Sequence, residues 1–142
     1  MIDTSTVINL IIAGTTLTSA QVVRAKETED NLQNQSEIPM VYVGFATIDS
    51  KNPSKPIDHN MFNYHGEDLL QSFDITIVCN EASLVTLWRA VYKSLIGQNP
   101  NANEKLRTGF TYVQGGKVAI TNGKIWHMDR WRIGFPSLFV NF

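Results

Sequence analysis

The chain has 142 residues and a mass of 16.0 kDa, a size suited to one domain with its own hydrophobic core. Its 12 basic and 13 acidic residues give a net charge of −1, which excludes the basic footprint of a typical nucleic-acid-binding domain. The single cysteine, Cys79, excludes an internal disulfide. The apolar run at residues 10–13 is too short to cross a membrane, and no basic region precedes it as in a signal peptide.

The first predicted element is a short helix near the N-terminus. Asp3, Thr4 or Ser5 can cap it, and Gly14 can end it. The apolar residues of this helix are Val7, Ile8, Leu10, Ile11 and Ile12. We expect a strand at residues 20–25 and a solvated polar loop at 26–37, with a short helical turn as the alternative for the second segment.

The next predicted strand covers residues 40–48 and follows Pro39, which costs no ladder hydrogen bond at the start of a strand. Both faces of this strand carry apolar groups, which indicates a central strand or one covered on both sides. Residues 49–68 form the longest irregular stretch. Its aromatic content argues against simple disorder, so we expect an extended arm that packs on a neighbouring subunit. The candidate contact residues of this arm are Met61, Phe62, Tyr64 and His65.

The clearest pattern in the chain is a strand at residues 70–79 followed directly by a helix at 81–96. The strand alternates with the period of a sheet that buries one face. Its apolar face carries Phe73, Ile75, Ile77 and Cys79, and its other face carries Ser72, Asp74, Thr76 and Val78. Asn80 is a natural N-cap, and Gly97 marks the end of the helix. The helix has one apolar stripe that can pack on a sheet, made of Leu84, Leu87, Trp88, Val91 and Leu95.

Two dipeptides give turn signals in the C-terminal region. Gly115-Gly116 and Asn122-Gly123 both suit two-residue hairpin turns. They divide the region into three predicted strands, at residues 110–114, 117–121 and 124–135. Residues 137–142 follow Pro136 as an apolar tail that contains Leu138, Phe139, Val140 and Phe142.

This order of elements predicts an α+β fold in a single domain over residues 1–142. We expect an antiparallel or mixed sheet with the long helix packed on one face and a short N-terminal helix. A C-terminal three-stranded meander completes the expected sheet. The 49–68 arm and the 137–142 tail extend from it.

The histidines are the obvious candidates for a chemical site. His59 and His65 lie six residues apart, and no second pair of ligands completes a zinc site, so we expect neither a metal nor a cofactor. His127 and Asp129 share a strand face with Ile125, Trp131 and Ile133, and such a pair can orient a catalytic base. No nucleophile accompanies the pair, because Cys79 falls on a buried face and no serine sits in a Gly-x-Ser-x-Gly turn. The alternative is a polar patch at a subunit contact, and we expect a protein that is not an enzyme.

The last strand also carries a set of tryptophan and arginine residues. Trp126 and Trp131 have odd spacing, so they fall on opposite faces and cannot form one stacking platform for single-stranded nucleic acid. Arg130 and Arg132 share a face with Trp126 and Met128. Arginine and tryptophan are typical anchors of protein interfaces, so we expect Trp126, Arg130 and Arg132 to line a docking surface in an assembly. Phe139 and Phe142 of the tail are further candidates for a partner contact.

The order of elements and several segments together resemble a known family. A short N-terminal helix leads to the proline-led strand Ile38-Pro39-Met40-Val41-Tyr42-Val43, and a second strand feeds the long helix that ends in Leu95-Ile96-Gly97. An Asn/Pro loop then precedes Phe110-Thr111-Tyr112-Val113-Gln114-Gly115-Gly116, Ile125-Trp126-His127 and a last strand. Over residues 5–135 this pattern resembles the tail terminator proteins of tailed bacteriophages, also called tail completion or minor tail proteins. The arm at 49–68 is longer than this pattern leads us to expect.

The resemblance implies a structural virion protein that forms a ring, expected to be a hexamer, at the head-proximal end of the tail tube. Such a ring stops tube polymerisation and joins the tail to the neck. The implied partners are further copies of the chain, the tube protein, a sheath protein where one exists, and the head–neck connector or stopper. DNA would pass through the lumen without sequence reading, and no membrane is involved. The implied location is the tail or neck of the virion, after assembly in the host cytoplasm.

A second hypothesis belongs to another functional class. A small ligand-binding module or enzyme would have a pocket between helix 81–96 and the sheet near His127 and Asp129, where a site lies by default. The mass of the protein in solution separates the two hypotheses, because only the structural hypothesis requires an assembly.

Overall fold

The computed structural model describes residues 2–25, 38–50, 68–100, 109–121 and 123–136. The elements are α1 (Thr4–Gly14), β1 (Val22–Arg24), β2 (Met40–Ser50), β3 (Asp68–Asn80), α2 (Glu81–Leu95), β4 (Thr111–Thr121) and β5 (Lys124–Pro136). This order confirms the α+β class, with a short N-terminal helix and a long second helix. That residues 1–142 form a single domain stays a prediction.

The five described strands form one mixed sheet in the order β1-β2-β3-β5-β4. β1 is parallel to β2, and the other neighbours are antiparallel. β1 has three residues, fewer than predicted, although Ala25 N–H donates to Val43 and Val41 N–H donates to Gln21 on either side of it. The longest strands, β3 and β5, pair along their full length from Asp68–Pro136 to Asn80–Lys124.

The main core lies between the helices and one face of the sheet. The predicted apolar face of β3 is fully buried there, together with Val41 and Val43 of β2 and Trp131 of β5. α1 contributes Val7 and Ile11, and α2 contributes the stripe predicted from its sequence. The amphipathic patterns of β3 and α2 therefore place both helices on this face, which we call the helix side of the sheet.

A second, smaller core lies on the other face, the open side of the sheet. Met40, Tyr42, Val78 and Trp126 are buried in it. The prediction that β2 is a central strand or one covered on both sides is confirmed for residues 40–43, which are buried on both faces, whereas Phe45 and Ile48 further along the strand are 52% and 40% exposed. The prediction that β3 buries only one face is wrong, because Ser72 and Val78 on the open side have no exposed surface. A strand in the middle of a five-stranded sheet has neighbours on both sides, and their side chains cover residues that local alternation assigns to solvent.

The predicted turn at Gly115-Gly116 is wrong, and β4 runs straight through it. The C-terminal region therefore has two strands in place of a three-stranded meander. Register shifts lie on either side of the glycines, so the strand bends there without reversing. A turn directly before Lys124 is confirmed, since Thr121 pairs with Lys124 and Gly123 has a φ of 77°; Asn122 itself lies outside the described residues.

The other boundaries differ from the predicted ones by a few residues. Asp3 is the N-cap of α1 by position, and its backbone C=O accepts from Thr6 N–H at 3.0 Å. Gly97 follows the end of α2 with a φ of 72°, and its N–H donates to Phe110 O at 2.9 Å, so the chain turns there as predicted. β2 continues to Ser50 and β3 begins at Asp68, so the ends of the predicted 49–68 arm belong to the sheet. The rest of that arm and the polar stretch at 26–37 lie outside the described residues.

Candidate functional site

β5 presents different chemistry on its two faces, as its alternation predicts. The odd-numbered residues 125–133 oppose the helix-side residues of β3, and the even-numbered residues oppose Val78, Thr76, Asp74 and Ser72 on the open side. Trp131 is buried in the main core and Trp126 in the second core. The two tryptophans thus lie on opposite faces of the sheet, as their odd spacing predicts, and do not form one stacking platform.

Arg130 is held by a carboxylate of the adjacent strand. Its Nε donates to Asp74 Oδ1 at 2.9 Å and its Nη2 donates to Asp74 Oδ2 at 3.2 Å, so the pair is bidentate. These hydrogen bonds raise the pKa of Arg130. Both side chains keep about a third of their surface in solvent, at 35% and 27%, so the pair positions a charge at the surface of the sheet.

Arg132 lies two residues along the same face of β5, and its Nε is buried and has no hydrogen-bond partner among the described residues. The Oγ of Ser72, the register partner of Arg132 on β3, is also buried and has no such partner in the described part of the chain. The backbone of Arg132 pairs with β3 and β4, and its C=O also accepts a hydrogen bond from Thr111 Oγ1 at 3.4 Å. Of the predicted interface residues that the structure describes, Arg132 is therefore the one whose charged group is not already satisfied.

Trp126 occupies a different environment from the two arginines. It is 8% exposed and packs with Met40, Tyr42 and Val78. Its ring is thus part of the second core in this chain, and its role as an interface anchor stays a prediction.

His127 and Asp129 form a hydrogen-bonded cluster with Tyr112 on the helix side. His127 Nε2 lies 2.9 Å from Asp129 Oδ1, and Tyr112 Oη donates to the same oxygen at 3.2 Å. Asp129 is 1% exposed, so these bonds compensate the burial of its carboxylate. Burial, and then the Asp129 charge, raise the pKa of Tyr112. The sequence pairs His127 with Asp129 correctly, but Tyr112 is 17 residues from Asp129 and gives no local signal.

Aromatic rings of α2 cover this cluster. Tyr92 lies 5.4 Å from Trp131 and 6.0 Å from Tyr112 between ring centroids, and Trp88 stacks on Tyr92 at 5.1 Å. The cluster is therefore enclosed between the sheet and α2, which favours a structural role for the His127–Asp129 pair.

Cys79 is buried, as its strand position predicts, and burial raises the pKa of its thiol. The described part of the chain holds no group of three or more His, Cys, Asp or Glu residues that could bind a metal. None of its helices is long and apolar enough to span a membrane. His59 and His65 lie outside the described residues.

A groove runs beside the N-terminal half of α2. Its cavity has a volume of about 400 Å³ and lies between the helix, the α1–β1 connection and the end of β3. The lining residues are uncharged, and neither His127 nor Asp129 is among them; they are Thr15, Thr16, Leu17, Ile38, Pro39, Cys79, Asn80, Ala82, Ser83, Thr86, Leu87 and Ala90. The sequence predicts a pocket between α2 and the sheet near His127 and Asp129. The groove lies instead at the end of β3 that carries Cys79, and those two residues do not line it.

The other predicted contact residues belong to the arm and the tail, which join the sheet at the end opposite to the groove. Ser50 pairs with Leu69, and Asp68 pairs with Pro136, so the arm and the tail both leave the sheet at this end. Met61, Phe62, Tyr64 and His65 of the arm, and Phe139 and Phe142 of the tail, lie outside the described residues.

In the part of the chain that the structure describes, the geometry is that of a two-layer α+β protein, with two helices packed on one mixed sheet. A comparison with protein-family models finds no match, and a comparison with curated proteins finds none either. Among solved structures, the chain is similar to one described as "Virion of native gene transfer agent (GTA) particle". The two share 13% sequence identity with a TM-score of 0.51, and the match covers 92% of each chain. This similarity is one of fold.

Proposed function

We propose that this chain is a structural protein of a phage-like virion. The observation that carries the proposal is the fold shared with a chain of a gene transfer agent virion, over 92% of both chains. The similarity supports the proposal because it extends over nearly the full length of both chains and is not limited to one short motif. Under this proposal the protein has no catalytic role, and the His127–Asp129 pair stabilises the fold.

Within that class we propose the role of a tail terminator, on the pattern of elements that resembles this family. Copies of the chain form a ring, expected to be a hexamer, that caps the tail tube and joins it to the head–neck connector. DNA passes through the lumen without base-specific contacts. The position of the arm and tail at one end of the sheet supports this role, because a ring subunit needs contact surfaces that are not part of its own core.

The experiment is to purify the protein alone and together with the tail-tube subunit of the same virion. Light scattering after size exclusion gives the mass, and negative-stain electron microscopy shows the shape. We expect rings, or short tubes with the protein at one end. A strict monomer that neither assembles nor associates with tube subunits at high concentration would contradict the proposal.

The groove beside α2 favours a second candidate function, a small ligand-binding module. Its volume of about 400 Å³ falls within the range of small-molecule sites. A library of small uncharged ligands tested by thermal shift separates the two candidates. Under the structural proposal no ligand raises the Tm, whereas a binding module gains stability with the logarithm of ligand concentration once that concentration exceeds the Kd.

A further inference from the structure

We propose that the groove beside α2 receives the C-terminal tail, residues 137–142, of a neighbouring copy of this chain. The inference deepens the proposed virion function, on which it rests, by naming the contact that links one subunit to the next. It depends on the chemistry of the groove, on the position of Pro136 and on the length of chain that follows.

The groove and the tail match in chemistry. The groove has an apolar floor that includes Leu17 and Cys79, which are 7% and 1% exposed. Its rim is polar but uncharged, with Thr86 and Ser83 exposed along α2. The tail sequence, Ser-Leu-Phe-Val-Asn-Phe, has four apolar side chains and no charged one. An uncharged groove can bury such a segment without leaving a charge unpaired.

The tail cannot occupy the groove of its own subunit. β5 begins at Lys124, beside Asn80 at the groove, and ends at Pro136. A strand of 13 residues spans ~40 Å. Residues 137–142 extend at most ~20 Å from Pro136, even when fully stretched. Residues 137–142 therefore cannot reach the groove of their own subunit, whereas the groove of an adjacent copy can lie within reach.

This arrangement has a defined symmetry. The donor end, at Pro136, and the acceptor groove, at Asn80, lie at opposite ends of the same long strand pair. The contact is heterologous, because each subunit uses different surfaces to give and to receive. Repeated contacts of this kind close into a ring when the rotation between subunits allows it. The inference thus supplies a physical basis for the ring.

The test uses two full-length variants that each disable one half of the contact. In the donor variant, Phe139→Asp and Phe142→Asp place charges in the tail. In the acceptor variant, Thr86→Arg places a long charged side chain over the groove. Val85→Arg is the matched control, because Val85 is the adjacent exposed residue of α2, at 57% exposure, and does not line the groove.

We expect the wild type and Val85→Arg to assemble equally, and the donor and acceptor variants to remain monomers with unchanged Tm. A 1:1 mixture of the two monomeric variants should give dimers and nothing larger, since only one intact tail and one intact groove are available. Light scattering measures these masses. A fluorescent peptide with the sequence of residues 135–142 should bind the donor variant saturably, and at least ~10-fold more weakly when Thr86→Arg is added.

Several results would overturn the inference. Assembly by Thr86→Arg shows that the groove is not needed, and assembly by the donor variant shows that another segment or another protein fills it. A wild-type monomer, or a mixture that yields no dimer, also excludes tail exchange. The virion function fails separately, if the wild-type chain does not associate with tube subunits at all.

Discussion

Gly115 on β4 lies directly opposite Asp129 on β5, and a side chain at position 115 would occupy the place of the Asp129 carboxylate. A Cβ built on Gly115 meets Asp129 Oδ1 and, at 2.5 Å, Tyr112 Oη. The absence of a side chain on Gly115 therefore makes room for the polar cluster. Gly116, the next residue, has nothing within 4 Å of its Cβ position. These neighbours in sequence provide a matched pair for mutation.

We expect Gly115→Ala to lower the free energy of unfolding by about 1–3 kcal/mol, because the added methyl group displaces the Asp129 carboxylate from its hydrogen bonds. Gly116→Ala should change it by less than about 1 kcal/mol, since alanine fits an extended strand. Urea denaturation of both variants measures the difference. Equal effects at the two positions would contradict the assignment of Gly115 to the cluster.

We expect Asp129→Ala to lower the free energy of unfolding by more, about 2–4 kcal/mol, because it leaves both Tyr112 Oη and His127 Nε2 without their acceptor in a buried site. Tyr112→Phe removes one hydrogen-bond donor and keeps the packing of the ring, so we expect the free energy of unfolding to fall by about 1 kcal/mol. Thermal and urea denaturation check the order of the two effects. A smaller loss for Asp129→Ala than for Tyr112→Phe would show that the carboxylate is not the centre of the cluster.

Stability at alkaline pH should depend on Tyr112. Burial raises its pKa in the folded state above the ordinary value of 10.0, so above pH 10 the unfolded chain releases this proton first. The contribution of protonated Tyr112 to the stability of the folded chain is fully present below pH 10 and is lost as the pH rises through its folded-state pKa. Unfolding measured from pH 8 to 11 should show a downward slope that is shallower in Tyr112→Phe. Parallel curves would exclude this titration.

The ion pair between Arg130 and Asp74 should contribute only modestly to the free energy of unfolding. A double-mutant cycle with Arg130→Met and Asp74→Asn is expected to give a coupling of about 0.5–1 kcal/mol, since both groups are partly solvated. The coupling should fall at 1 M salt, because mobile ions screen exposed charges. A coupling that salt leaves unchanged would indicate that the pair is shielded from solvent.

Replacement of residues 52–66 by a short Gly-Ser linker should leave the domain folded and impair assembly. Ser50 and Leu69 are paired neighbours in the sheet, so a short turn can join β2 to β3. Circular dichroism and Tm measure folding, and light scattering measures assembly. Loss of folding, with no separate effect on assembly, would contradict the prediction that the arm contacts a neighbouring subunit.

Much of the fold was predictable because it depends on local periodicity. The alternation of β3 and the stripe of α2 identify both elements and the face on which they meet. The wrong prediction of a turn at Gly115-Gly116 shows where local signals fail. A similar glycine-containing dipeptide does mark a turn, because Thr121 pairs with Lys124 and Gly123 has a positive φ. A hairpin at 115–116 would leave half of β5 without a partner on that side, whereas a continuous β4 pairs from Thr111 to Thr121.

The α+β class, the helix side of the sheet and the opposite faces of Trp126 and Trp131 can be predicted from the sequence, because they follow from the periods of strand and helix. Three other relationships come from the folded chain: Tyr112 joins His127 and Asp129, Arg132 Nε has no hydrogen-bond partner among the described residues, and the groove lies ~40 Å along the sheet from Pro136. These relationships join residues that are distant in sequence. They exist only once strand order and register bring those residues together, and no short window of sequence contains that information.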